Sequence, residues 1–177
     1  NSRANDNKIG AVLNTDVANP NILDKSKYGA TWYSNIVETK APVTHNVSKV
    51  DELQTKIDEA NHGDIINLEE GVYIVNESLT INKTLSIQSQ EGTKAQIVFS
   101  GSTGSPLFAL NPKGRLTINN LFLKGNDSNY AFASLKENMS NHFGLIVSNT
   151  EISNFNYVLK AYKQSFAERV TFDNTVI

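Results

Sequence analysis

The chain from Asp64 onward carries its apolar residues in short groups bounded by Gly, Asn, Ser or Asp. Apolar and polar positions alternate within these groups, which predicts short β-strands. The predicted strands are 64–68, 72–75, 79–81, 85–87, 97–99, 107–110, 116–118, 121–123, 145–147, 157–159 and 170–172. The connections are too short for helical crossovers, so the pattern favours a coil of stacked strands over an open sheet.

A weak internal repeat supports this interpretation. Segments 116–123, 145–152 and 170–177 share an apolar-x-apolar-polar-Asn frame, and their starts are 29 and 25 residues apart. Such periods are typical of one turn of a solenoid, although chance registration in a chain with 23 asparagines is an alternative. Asparagine tolerates the left-handed backbone of a sharp turn, and its amide can bond to the equivalent Asn one coil away. The prediction is an all-β, right-handed parallel β-helix.

The N-terminal part of the chain follows other patterns. Residues 1–45 lack helical and strand periodicity and predict an extended linker. A short cap helix is predicted over about 49–61, with Ser48 as N-cap and Gly63 as its stop. Its apolar stripe consists of Val50, Leu53, Ile57 and Ala60.

The expected organisation is therefore a linker and one β-helix. The β-helix spans 46–177, and its rungs occupy 64–177. The last residues, 170–177, form a strand and turn that lead into another apolar pair, which would leave an open sheet edge. We expect a continuation beyond Ile177, so that the chain is a truncated piece of a longer protein.

Composition narrows the classes of function. The chain has 177 residues, 39% of them hydrophobic, and no cysteine, which excludes disulfides and thiolate metal sites. No apolar run is long enough to span a membrane. The net charge is −2 without a basic stripe, which argues against nucleic acid. Residues 1–91 carry 8 basic and 13 acidic side chains, and 92–177 carry 8 and 5. The second half could face an anionic partner, and ordinary surface variation is the alternative.

The segment 53–73 resembles the cap-helix and first-rung signature of secreted β-helix carbohydrate enzymes. It contains an Ala, a Gly-Asp, an Ile, a Leu and a Gly-x-Tyr, at Ala60, Gly63-Asp64, Ile66, Leu68 and Gly71-Val72-Tyr73. Within this superfamily the chain, from about Gly29 to Ile177, is most similar to polysaccharide lyase family 6, the alginate lyases and chondroitinase B. The similarity is to the second, C-terminal β-helix of the two-domain members.

The resemblance implies a secreted or periplasmic bacterial lyase that cleaves uronic-acid polymers, alginate first. In that family the catalytic centre lies on the first β-helix, where a Lys base, an Arg acid and a calcium ion act. This chain shows no counterpart of that cluster. We therefore expect an accessory or groove-completing β-helix with no catalytic residues, partnered by the catalytic β-helix of the same parent protein. We therefore expect lyase activity in the parent protein and not in this chain alone.

Elimination next to a carboxylate requires that the carboxylate be neutralised by a metal or by basic and amide groups. The substrate-binding candidates are Arg115, Lys124, Lys160, Tyr162, Lys163 and Arg169. Arg115 and Lys124 occupy neighbouring segments of one predicted rung, and the others occupy the last two rungs. Each cation alone is equally compatible with a solubility role on an exposed turn.

No metal or cofactor is expected within this chain, and calcium is expected only in the parent enzyme. Asp127 with Asn126 and Asn129, or Asp173 with Asn174, offers oxygen ligands, but turn chemistry accounts for such groups without a metal. The alternative function is a non-catalytic β-helix that serves as a carbohydrate-binding module or cell-surface adhesin. An upstream β-helix with the Lys, Arg and calcium cluster favours the lyase, whereas repeats or an anchoring domain favour the adhesin.

Overall fold

The computed structural model describes residues 41–134 and 142–177, so the predicted linker lies outside it except for residues 41–45. The described part contains one α-helix, α1 (Leu53–Glu59), preceded by a 3-10 turn (Val50–Glu52). The strands are β1 (Thr44–Val47), β2 (Ile65–Leu68), β3 (Val72–Val75), β4 (Leu79–Ile81), β5 (Thr84–Ser89), β6 (Ala95–Phe99), β7 (Pro106–Leu110), β8 (Arg115–Asn119), β9 (Leu121–Lys124), β10 (Tyr130–Ser134), β11 (Phe143–Ser148), β12 (Glu151–Ser153), β13 (Tyr157–Lys160) and β14 (Ala167–Asp173).

The strands form three parallel sheets. Sheet A has the order β1-β2-β5-β8-β11-β14, sheet B the order β3-β6-β9-β12, and sheet C the order β4-β7-β10-β13. From β2 onward, consecutive strands enter A, B and C in rotation, so each coil contributes one strand to each sheet. Because sheets B and C hold four strands each, the described residues make four complete coils. The predicted fold class, a parallel β-helix with a short cap helix, is confirmed.

Along strands such as β2, β5, β6 and β8, alternate side chains are buried and stack on their partners in the next coil. Ile66, Ile87, Ile118 and Val147 form one column of fully buried side chains in sheet A. Phe108 and Phe132 form another in sheet C, with their ring centroids 5.5 Å apart. Apolar burial repeated at every coil supplies the main stabilisation of a solenoid.

The cap helix is shorter than predicted. It ends at Glu59 and begins with a 3-10 turn that has no side-chain cap, so the prediction of Ser48 as N-cap was wrong. Leu53, Ile57 and Ala60 are buried as expected. Val50 is 39% exposed, because it lies in the 3-10 turn before α1 and not on the buried face of the helix.

The buried carboxylate of Asp64 joins β1 and the end of α1 to the first coil. Its oxygens accept hydrogen bonds from the ring of His45 (2.9 Å) and from the backbone N–H groups of Val43 (2.9 Å) and Asn61 (2.8 Å). These donors, His45 first, hold the pKa of Asp64 well below its usual range. The Gly-Asp of the sequence motif therefore has a structural role.

The predicted asparagine corners are confirmed. Asn120, Asn149 and Asn174 all have positive φ, at 58°, 50° and 44°. The Asn174 amide donates to the Asn149 side chain at 2.8 Å, as expected for equivalent corners. The Asn149 amide instead donates to Asn119 at 2.9 Å, because Asn120 turns its own amide to the carbonyl of Thr93.

Three strands were not predicted: β1, β10 and β12. Strand β10 has the sequence Tyr-Ala-Phe-Ala-Ser, whose alanines have low β-propensity. Strand β1 begins at Thr44, inside the stretch that was assigned to the linker.

Candidate functional site

The two candidate arginines, Arg115 and Arg169, lie in one outward column of sheet A. The register aligns Arg115 with Gly144 and Gly144 with Arg169. Since neighbouring strands are about 4.8 Å apart, the two arginine backbones are separated by roughly 10 Å, with a glycine between them.

Gly144 gives Arg115 room to lie across the next coil. A Cβ added at Gly144 would come within 3.2 Å of the Arg115 Cγ. The Arg115 guanidinium reaches β14, where its Nε donates to Glu168 at 2.7 Å. Arg115 and Glu168 are about half exposed, so the pair orients Arg115 more than it stabilises the fold.

Arg169 has a different environment. Its Nε donates to the hydroxyl of Thr171 at 3.1 Å, and no carboxylate among the described residues forms an ion pair with it. Its positive charge is therefore available to a ligand, whereas the charge of Arg115 is partly neutralised by Glu168.

The remaining candidates of the last coil lie at the end of β13 and in the turn that follows. The Lys160 ammonium is 4.5 Å from the Tyr157 ring centroid and 6.0 Å from that of Tyr130. The backbone N–H of Tyr162 donates to the Ser134 hydroxyl at 2.9 Å, which fixes the start of the turn. Lys163 is exposed in this turn.

These positions lie near one corner of the coil. We call "basic corner" the turns from sheet C to sheet A with their flanking strand residues. Its described cations are Lys83, Lys113, Arg115, Lys160, Lys163 and Arg169, and its one described carboxylate is Glu168. The A-to-B turns and their flanks carry the opposite charge, with Glu69, Glu70, Glu91, Glu151 and Asp173 against Lys94. The positive excess of the second half of the sequence is therefore concentrated along one edge of the solenoid.

Two turns of the basic corner have an unusual backbone. In the turns at 111–114 and 162–165, the fourth N–H donates to the first carbonyl, at 2.9 and 3.1 Å. The third residues are Lys113 and Gln164, with φ of 69° and 68°. Glycine or asparagine is favoured at such a position, and the other described non-glycine residues with positive φ are all Asn or Asp. Strained backbone of this kind is concentrated at functional sites.

Lys124 does not join this group. It ends β9 in sheet B, where it is exposed, because the chain turns at Asn120 between Arg115 and Lys124. Neighbouring segments of one rung thus direct these two side chains to different faces. Lys83, also at the basic corner, donates to the carbonyls of Asp58 and Ala60 at 2.8 Å and caps the end of α1.

The Asp and Asn side chains that were considered as metal ligands at 126–129 are engaged in hydrogen bonds within the protein. Asp127 accepts from the Asn154 amide at 3.3 Å, and the Asn126 side-chain oxygen accepts from Ser128. Within residues 41–134 and 142–177 no group of three or more His, Asp or Glu side chains could hold a metal ion.

Sequence analysis missed several contributors to the basic corner: the cations Lys83 and Lys113, the carboxylate of Glu168, and Gln164 and Gly144. The segment Asn111-Pro112-Lys113-Gly114 was a signal for Lys113, because Pro at the second position favours a turn whose third residue has positive φ. The internal repeat was a signal for Gly144, because Arg115, Gly144 and Arg169 each directly precede one of the repeat segments 116–123, 145–152 and 170–177.

Comparison with solved structures defines the class of this fold: a parallel β-helix like those of the polysaccharide lyases. A structure of the PL6 family alginate lyase AlyGC, in a mutant with an arginine replaced by alanine, matches with a TM-score of 0.68 and 25% identity over 86% of this chain. A second AlyGC structure matches with a TM-score of 0.64 and 25% identity over 85%. The resemblance to family 6 predicted from the sequence is confirmed.

This chain spans less than a quarter of those proteins, 22% and 23% of their lengths. No family model matches the chain, and the search of curated proteins found no match. No helix within the described part of the chain is long and apolar enough to cross a membrane.

Proposed function

We propose that this chain is an accessory β-helix of a polysaccharide lyase that cleaves uronic-acid polymers by β-elimination. Alginate is the first candidate for the polymer. Its role is to bind the anionic polymer along the basic corner, while the proton transfers take place on another β-helix of the same parent protein. The parent is a secreted or periplasmic bacterial enzyme, and calcium acts in its catalytic centre.

The observation that carries this proposal is the segregation of charge. Six cations and one carboxylate occupy the described basic corner, and they recur along the solenoid axis. A polymer with a carboxylate on every sugar presents a matching row of negative charges. The likeness to an alginate lyase adds the class of polymer.

The chemistry explains why binding is proposed rather than catalysis. β-Elimination removes the proton beside the carboxylate and expels the 4-linked oxygen, so it requires a carboxylate clamp, a base and an acid around one sugar. Arg169 and Lys163 suit a clamp. Arg115, the other candidate arginine, is paired with Glu168.

Among the other candidates, Lys160 and Tyr162 continue the same edge at the last coil, so we assign them to polymer contact as well. Lys124 is the weakest of the six candidates, because it faces away with sheet B. A matched set of lysines outside the basic corner is available as a control: Lys49, Lys94 and Lys124.

The test is an assay for elimination together with an assay for binding. The chain is incubated with alginate, chondroitin and pectate, with and without calcium, while the ultraviolet absorbance of the unsaturated product is followed. We expect that this chain forms no unsaturated product and that alginate in an affinity gel retards it. We expect that the full-length parent forms the product. Product formation by the chain alone would contradict the accessory role.

The carbohydrate-binding or adhesin module remains the second candidate, because a basic edge needs no catalytic partner to hold a polymer. Its distinguishing result is a full-length parent that binds alginate and forms no unsaturated product.

A further inference from the structure

A small notch lies on the outward face of sheet A, over Gly144. Its volume is about 120 Å³, and its lining includes Arg115, Gly144, Ile146, Glu168 and Arg169. The space is open because Gly144 has no side chain between the two arginines that align with it. Sites for whole small molecules usually measure about 300–1,000 Å³, so the notch fits one functional group rather than a sugar ring.

A β-bulge in β14 brings an acidic and a basic side chain into this notch. The register between β11 and β14 shifts just before Gly144, which aligns with Arg169, so Glu168 is an extra residue of β14. Neighbouring residues of a regular strand point to opposite faces, but Glu168 and Arg169 both line the notch. The bulge therefore directs Glu168 outward, where it meets the guanidinium of Arg115.

The two arginines of the notch differ in how their donors are engaged. The Nε and Nη2 atoms of Arg115 both contact one oxygen, Oε2, of Glu168. The Nε of Arg169 donates to Thr171, and its terminal amino groups form no hydrogen bond or ion pair with the described residues. A guanidinium can donate two parallel hydrogen bonds to the two oxygens of a carboxylate. Arg169 therefore offers an open position for a carboxylate at the notch.

The contact between Arg115 and Glu168 is one that a ligand can replace. It uses a single carboxylate oxygen, so it lacks the second parallel hydrogen bond of a bidentate pair. The two side chains are 45% and 48% exposed, and exposed ion pairs contribute little to stability. Glu168 thus places a carboxylate of the protein itself in the notch, and its displacement by another carboxylate costs little.

From this arrangement we infer that the notch is the subsite for one uronate carboxylate, which binds Arg169 and displaces Glu168 from Arg115. The inference rests on the proposed function for the identity of the polymer. It deepens that function by assigning Glu168 as a residue that competes with the substrate. A neutral sugar has no charge with which to replace Glu168, so the competition makes the notch selective for acidic sugars.

The experiment is a calorimetric titration with an alginate disaccharide and with its carboxyl-reduced, neutral counterpart. Glu168→Gln removes the competing charge and keeps the size of the side chain, so the acidic disaccharide should bind about threefold more tightly. The neutral disaccharide should bind as weakly as it does to the wild type. Glu151→Gln removes a carboxylate from the end of sheet B and is the matched control, with no gain expected.

Two further variants test the notch itself. Gly144→Val fills it, since a Cβ there would lie 3.2 Å from the Arg115 Cγ, and should weaken the acidic disaccharide at least about fivefold. Arg169→Gln should weaken it about fivefold as well. Ser153→Val, an outward enlargement on sheet B, and Lys49→Gln, the loss of an exposed cation elsewhere, are the respective controls.

Three results would overturn the inference: weaker or unchanged acidic disaccharide binding in Glu168→Gln, unchanged binding in Gly144→Val, or equal wild-type affinity for the acidic and neutral disaccharides. Weaker binding in Glu168→Gln would mean that Glu168 holds Arg115 in place for the ligand instead of competing with it. Melting temperatures of all variants exclude loss of folding as a cause of weaker binding. A gain in affinity cannot result from unfolding, so Glu168→Gln is decisive even if Gly144→Val is destabilised.

The two proposals fail in different ways. Alginate binding that depends on Lys113 and Lys163, with no response to the variants at Gly144 and Glu168, would remove the notch subsite and leave the basic-corner role. Acidic disaccharide binding that responds to those notch variants, with alginate binding unaffected by Lys113→Gln and Lys163→Gln, would remove the basic-corner role and leave the subsite.

Discussion

Apart from the 3-10 turn before α1, five turns of the described chain share a hydrogen bond from the N–H of the fourth residue to the carbonyl of the first, but they differ in the residue at the third position. In the turns at 61–64, 90–93 and 102–105 the third residue is Gly63, Gly92 or Gly104, with φ between 75° and 92°. In the turns at 111–114 and 162–165 it is Lys113 or Gln164. The last two lie at the basic corner.

This difference separates turns that serve folding from turns that serve a surface. Glycine adopts positive φ without steric cost, whereas a residue with a Cβ pays about 1–2 kcal/mol there. A long polar side chain at such a position projects from the tip of a turn. We infer that the backbone strain at Lys113 and Gln164 is tolerated because it places polar side chains at the basic corner.

The largest expected effect follows from removing charge at the basic corner. The triple variant Lys113→Gln, Lys163→Gln and Arg169→Gln should weaken alginate binding roughly 30- to 100-fold, with each exposed contact contributing about three- to fivefold. Affinity measured by calorimetry checks this. The control triple Lys49→Gln, Lys94→Gln and Lys124→Gln makes the same change in net charge elsewhere, and an equal loss there would contradict a localised site.

The turn at 61–64 has a second support in Asp64. We expect Asp64→Asn to lower the melting temperature by several degrees at neutral pH, because the Asn side chain cannot accept all three hydrogen bonds as a carboxylate does. The folded-state pKa of Asp64 is depressed, so its contribution is complete above the ordinary carboxyl pKa of about 4.

That contribution is lost as the pH falls through the depressed value. The melting temperatures of the wild type and Asp64→Asn should therefore converge only in strong acid. A constant difference across the acid range would show that the Asp64 charge plays no part.

Lys113→Gly tests the cost of the basic-corner turns. The change should raise the free energy of unfolding by about 0.5–1 kcal/mol, since glycine relieves the strain at positive φ but adds freedom to the unfolded chain. Alginate affinity should fall about threefold. Lys113→Ala is the control, because it removes the same charge and keeps the strain. A stability gain in Lys113→Ala equal to that in Lys113→Gly would refute the strain argument.

The smallest effect is expected at Lys124. Lys124→Gln should change alginate affinity by less than about twofold, because this side chain lies with sheet B rather than at the basic corner. A loss as large as that of Arg169→Gln would show that alginate also contacts sheet B.

Sequence alone predicted the coil better than its surface. The inward alternation and the asparagine corners are local signals, so strands such as β3 and β4 were placed with their observed bounds. Strand β10 escaped because its alanines carry little β signal.

The grouping of the cations could be derived from spacing only where the internal repeat marks the register. The register in sheet A advances by 21 residues from Ile65 to Ser86, by 31 from Leu85 to Leu116, by 29 from Leu116 to Leu145 and by 25 from Leu145 to Val170. With coils of unequal length, sequence distance identifies a column only where a repeated motif marks each coil. Arg115, Gly144 and Arg169 each precede one copy of the repeat, and the structure aligns both arginines with Gly144. For the cations outside the repeat, such as Lys113 and Lys163, no such marker exists.

The most direct test of the basic corner as a polymer-binding site compares alginate with carboxyl-reduced alginate on the unmodified chain, at low and at high ionic strength. The account predicts that alginate binds at low ionic strength, that salt weakens this binding, and that the neutral polymer binds far more weakly. Equal binding of the two polymers, insensitive to salt, would contradict it.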